Sequence, residues 1–160
     1  MTTQATSDVV RTSIVVNAPP QRAFSIFTAG MDSWWPRSHT IGDSPLAEMV
    51  LECREGGRAY GVGEDGSESD WGRVLVYEPP QRIVISWDIT LDWGHELDPA
   101  KASEFEVTFT PQEDGTTLVA LEHRHLDRHG EGWEAMRDAV GSSGGWGGGL
   151  EAFAQAAEAA

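Results

Sequence analysis

Residues 141–160 read Gly-Ser-Ser-Gly-Gly-Trp-Gly-Gly-Gly-Leu-Glu-Ala-Phe-Ala-Gln-Ala-Ala-Glu-Ala-Ala, and their reading decides the fold. Trp146, Leu150, Phe153, Ala154 and Ala157 fall at i, i+4, i+7, i+8 and i+11, one apolar stripe on a helix. The breakers at 141–145 separate it from a shorter helical pattern, Trp133, Met136 and Val140. Ser142 or Ser143 is the expected N-cap. The glycines around Trp146 have two readings: a frayed helix start, or a close backbone approach that leaves room for a bulky ligand.

Such a stripe needs a surface to cover it, and the middle of the chain supplies one. Met49, Leu51 and Cys53 alternate with polar neighbours, so Cys53 is expected as a buried thiol. Strands are expected near 58–62 and 71–77, bracketed by Gly56-Gly57, Asp65-Gly66 and Pro79-Pro80. Ile83, Ile85, Trp87 and Ile89 then share one face of a strand at 82–90. Phe105, Val107 and Phe109 share a face of the next, and Asp114-Gly115 turns into a strand at 116–125. A β-branched run at 9–16 precedes them. After it, Asn17-Ala18-Pro19-Pro20 opens a helix carrying Ala23, Phe24 and Phe27, and Trp34-Trp35-Pro36 closes a second short one. The order is one strand, two short helices, six strands and a terminal helix. It predicts an α+β fold, a curved antiparallel sheet of about seven strands wrapped around the long C-terminal helix. Residues 1–8 read as a loose polar tail and 9–160 as one domain.

Composition narrows the function. Eleven basic against twenty-six acidic residues give a net charge of −15, which disfavours nucleic acid and anionic membrane surfaces as partners. A single cysteine excludes an internal disulfide. No apolar run is long enough to span a bilayer, and the polar start points to the cytoplasm. No internal repeat, Gly-x-Ser-x-Gly elbow or phosphate-loop ending is present.

The element order, with Ile14-Val15-Val16-Asn17-Ala18-Pro19-Pro20, residues 79–87 (Pro-Pro-Gln-Arg-Ile-Val-Ile-Ser-Trp), Gly115-Thr116-Thr117-Leu118 and Gly145-Trp146, resembles the START-like (SRPBCC) superfamily. Its branch related to the activator of the heat-shock-protein-ninety ATPase is the nearest in pattern. That resemblance implies a helix-grip fold with a cavity between sheet and terminal helix that holds an apolar or aromatic ligand. Trp34-Trp35-Pro36, residues 103–109 and residues 122–128 further resemble the calicheamicin-resistance proteins of the same superfamily. This implies sequestration of a reactive natural product, and it singles out no glycine of this chain as a sacrificed one.

Seven tryptophans exceed ordinary usage, and an indole offers a flat wall with one N–H donor. Trp34 and Trp35 are expected at the mouth of a ligand cavity, Trp87 on its floor and Trp146 on the gripping helix. Phe105, Val107, Leu121 and Leu150 are expected on its walls. On a strand, His123 and His125 would share a face, placing both at the cavity's polar end as hydrogen-bond anchors. His-x-His, with Asp127 or His129 nearby, could in principle ligate a metal. With no cysteine pair beside it, neither metal nor other cofactor is expected. Glu122, Arg124, Glu104, Glu106, Glu52 and Asp88 take the outward parity and read as solvated. No carboxylate pair marks a catalytic centre. The leading expectation is therefore a binding module for a hydrophobic or aromatic small molecule, without catalysis or with little. The alternatives are a polyketide cyclase-like enzyme using a cavity histidine, and a co-chaperone-like binder of a protein partner. Assembly into a homodimer stays open.

Overall fold

Inward alternation sets the concave face of the sheet. Phe105, Val107 and Phe109 of one strand pair with His123, Leu121 and Val119 of the next, and these six, with Ser103 and Thr117, are buried while the residues between them are not. In the computed structural model, which describes residues 7–160, the strands are β1 (Val10–Val16), β2 (Leu46–Leu51), β3 (Arg58–Gly63), β4 (Glu68–Glu78), β5 (Arg82–Trp87), β6 (Ser103–Pro111) and β7 (Thr117–Arg124). They form one antiparallel sheet in the order β1-β7-β6-β5-β4-β3-β2. Register shifts in the β2–β3, β3–β4 and β4–β5 pairs gather in one half of the sheet, where such bulges bend strands and increase twist.

The helices are α1 (Pro20–Phe27), α2 (Trp133–Val140) and α3 (Gly148–Ala159). Pro20 occupies the first turn of α1, where its missing N–H leaves nothing unpaired. Leu150, Phe153, Ala154 and Ala157 of α3 are buried. Phe153 meets Phe27 of α1 at 5.3 Å between ring centroids, and Phe24 meets Phe109 at 5.2 Å. On the outer face Arg124 pairs with Glu104, Glu106 and Glu122, and Arg82 pairs with Glu106 and Glu78. This is the α+β helix-grip architecture, with two short helical segments after the first strand; the second is a 3₁₀ turn, Met31–Ser33.

Several local expectations are corrected. Cys53 is exposed, because β2 ends at Leu51 and the chain turns at once, Arg54 N–H donating to Glu52 O. Asp88 is buried rather than solvated: β5 ends at Trp87 and the Asp88 N–H donates to Trp71 O. Burial raises the Asp88 carboxyl above the usual range, opposed by the Ser86 hydroxyl and the charge of Arg73. Neither Ser142 nor Ser143 caps the last helix. Ser142 Oγ donates back to Ala139 O, a π-helical turn (Ser143–Gly147) intervenes, and Trp146 lies in that turn, ahead of α3. The expected tail falls, for residues 1–6, outside the described residues; Asp8 is tied down, its carbonyl accepting from the Leu126 N–H.

Candidate functional site

Tryptophans placed by different elements converge on one end of the concave face. Trp34 and Trp35 follow the 3₁₀ turn, Trp71 stands on β4, Trp87 ends β5, Trp93 lies in the β5–β6 connection and Trp146 in the π turn. These six of the chain's seven tryptophans line a cavity of about 380 Å³. Met49, Ile41, Ile89 and Val140 complete its apolar wall, and Ser38, His39, Thr40 and Ser69 supply polar groups.

Hydrogen bonds hold the indoles in place. Trp34 Nε1–H donates to Ile26 O at 3.0 Å and Trp35 Nε1–H to His39 O at 2.8 Å. Trp35 stacks on Trp71 at 5.0 Å and 25°. Trp71 Nε1 lies 3.1 Å from Met49 Sδ. Trp87 Nε1 is buried without a partner among the described residues. Trp93 differs from the rest: it is 47% exposed and has φ +65°, a left-handed backbone rare for a bulky side chain.

Behind the wall runs a directional chain of hydrogen bonds. Trp146 Nε1–H donates to His123 Nδ1 at 3.0 Å, so the neutral imidazole carries its proton on Nε2. That N–H donates to Ser103 Oγ at 2.8 Å, and the Ser103 hydroxyl donates to His129 Nε2 at 2.7 Å. The His129 proton is thereby left on Nδ1, a buried donor with no partner among the described residues. Burial, then the neighbouring His129, pushes the His123 pKa down to about 3. Burial also lowers His129, against the opposing charge of Glu96. His123 is therefore a neutral brace for the Trp146 ring and has no exposure to solvent.

Of the site residues expected from sequence, Trp34, Trp35, Trp87 and Trp146 lie together on the cavity surface. Phe105, Val107, Leu121 and Leu150 are buried in the core beneath it, and His123 sits behind Trp146. His125 does not share His123's face. The strand stops at Arg124 and His125 turns left-handed, φ +61°, which ends the two-residue alternation. His129 joins the chain in its place. Trp71 and Met49 were reachable from strand parity. Trp93 and the 36–41 loop were not, because only tertiary folding brings them over the opening. Among the described residues, no group of three or more His, Cys, Asp or Glu side chains is placed to hold a metal ion. No helix among them is long and apolar enough to cross a membrane.

A bent sheet gripping a terminal helix, with an aromatic cavity at one end, defines the START-like class of small-molecule-binding folds. The sequence profile of the family described as "Activator of Hsp90 ATPase homolog 1-like protein" matches residues 17–158, and the chain belongs to that family. Among solved structures it is similar to an anthrahydroquino-gamma-pyrone synthase, Txn09, complexed with a compound designated SUM. The identity is 39% over 92% of this chain and 95% of that one, with a TM-score of 0.65. It is similar also to CalC of Micromonospora echinospora, a self-sacrificing resistance protein, at 32% identity over 96% of both chains and a TM-score of 0.66. NE0264 of Nitrosomonas europaea shares the fold at 14% identity over 99% of both chains, TM-score 0.69. No curated protein sequence matches significantly.

Proposed function

We propose that this protein binds a hydrophobic aromatic small molecule in the tryptophan-lined cavity and sequesters it. One observation carries the reading: six of seven tryptophans, drawn from five separate places in the chain, face the same 380 Å³ space. A cavity of that size fits the range of small-ligand sites, and mostly apolar walls with a few polar groups are their usual make-up. Affinity comes from apolar surface removed from water, about 25 cal/mol per Å². The likeness to a self-sacrificing resistance protein supports sequestration of a natural product.

A second reading, cyclisation of an aromatic precursor, is favoured by the 39% identity to a pyrone synthase. Its proton-transfer group would be His39, whose residue lines the cavity, rather than His123, which does not. Titration of the protein with 1,8-dihydroxyanthraquinone by calorimetry tests the first reading, and incubation with an uncyclised aryl polyketone followed by mass spectrometry tests the second. Saturable one-to-one binding, weakened by Trp35→Ala, supports sequestration. A polyketone that loses the mass of water on incubation, with the loss abolished in His39→Ala, supports the enzyme. No binding by the folded protein removes the first reading.

A further inference from the structure

The glycines of 144–149 sort by what a side chain would meet. At Gly145 a Cβ would collide with the carbonyl oxygens of Val140 and Ala139, and at Gly148 with that of Ser143, so the backbone itself demands glycine at both. Gly149 is different. It lies in the first turn of α3, it is buried, and a Cβ there would meet only Trp146 Cε3, at 3.9 Å, an ordinary contact. Its φ is not in the left-handed region. In a helix glycine is the less stable choice against alanine, so nothing in the fold asks for it here. What surrounds that missing Cβ is the cavity, which Gly149 lines beside Trp146 and Gly144.

Building on the aromatic-binding reading above, we infer that Gly149 is a specificity-determining residue: it keeps a bare patch of α3 backbone on which the face of a planar, fused-ring aromatic ligand lies. The other walls suit the same shape. Trp35 and Trp71, stacked on each other, present flat indoles, and Trp87 and Trp146 pack at 5.7 Å between centroids. A flexible acyl chain gains nothing particular from such surfaces, whereas a rigid fused-ring system matches them without losing rotamer freedom. A methyl group at 149 fills the depth that the outer ring of such a ligand needs.

The test compares wild type with Gly149→Ala by thermal melting and calorimetry, with three probes: 1,8-dihydroxyanthraquinone, the single-ring 4-nitrophenol and the acyl chain decanoate. Gly149→Ala is expected to melt above wild type and to bind the anthraquinone weaker by about 10-fold or more, the usual effect of one methyl(ene) group in a fitted pocket. Its 4-nitrophenol affinity should stay within about 2-fold of wild type, since a single ring stops short of the added methyl. A variant that melts below wild type shows that the fold needs the glycine and overturns the inference. Unchanged anthraquinone affinity in the variant also overturns it, while leaving the binding reading intact. Wild-type protein that prefers decanoate overturns the planar-ligand class, and wild-type protein that binds no aromatic probe overturns both readings.

Discussion

An imidazole without solvent exposure, accepting an indole N–H on one nitrogen, has little choice of protonation state, and His123 shows the consequence. Unfolded histidine titrates near 6.5, whereas His123 in the fold is pushed down to about 3. Between those values the unfolded chain binds a proton that the folded chain refuses. Stability is therefore full above about pH 6.5 and falls as the pH drops toward 3, by up to about 1.4 kcal/mol per pH unit. His129, also lowered, acts in the same direction; Asp88, raised, keeps a proton in the fold and partly offsets them. His123→Asn, whose Oδ1 can still accept from Trp146, should melt lower than wild type at pH 7.5. Its melting temperature should also lose less between pH 7.5 and 5, and equal slopes would show that His123 is not the acid-sensitive group. That His123 faces inward was legible from alternation with Val119 and Leu121. Its depth was not, because a strand pattern gives direction but says nothing of the Trp146 ring that closes over it.

Strands, being long runs of alternation, were read from the sequence with only their ends misplaced, and those ends are where Cys53, Asp88 and His125 went astray. Asp88 and His125 each sit one residue past the last residue of their strands, where the alternation ends. Cys53 is two past Leu51, with the turn already begun. The apolar stripe of α3 was equally plain, and it yields a strong expectation. Leu150 is 1% exposed, so Leu150→Asp buries an unpaired carboxylate at several kcal/mol, comparable with the whole stability of a domain. The variant should lack a cooperative melt and the near-ultraviolet dichroism of packed tryptophans; retention of both would mean that α3 can detach without loss of the core. The β5–β6 connection supplies the opposite case. Trp93 holds a left-handed backbone that costs about 1–2 kcal/mol in a non-glycine residue, yet lies half exposed at the cavity. Trp93→Gly should melt at or above the wild-type temperature and bind 1,8-dihydroxyanthraquinone more weakly, because strain is relieved and one aromatic wall is lost. Undiminished affinity would exclude Trp93 from the binding surface.

The net charge of −15 acts on the molecule as a whole, and the arrangement of its pairs leaves the surplus unbalanced. Arg82 and Arg124 are already engaged by Glu78, Glu104, Glu106 and Glu122 on the outer sheet face, away from the cavity. Among the described residues, no lysine or arginine lines the cavity itself. A ligand that enters it therefore approaches a strongly acidic protein and meets no lysine or arginine inside. An uncharged aromatic is indifferent to that charge; an anionic one is repelled at the mouth and must leave its hydration behind to enter. Surface charges are screened over about 10 Å at 0.1 M salt and over about 30 Å at 0.01 M, so the repulsion is adjustable in the tube. Raising salt from about 0.01 M to about 0.5 M should leave the affinity for 1,8-dihydroxyanthraquinone at pH 6 nearly unchanged. Across the same series the affinity for anthraquinone-2-sulfonate should rise, from a value below that of the neutral probe. Calorimetric titration of both probes measures the two slopes side by side. A sulfonate affinity that falls with salt would overturn this expectation and mark a positive group near the bound ligand, with His39 the candidate on the lining.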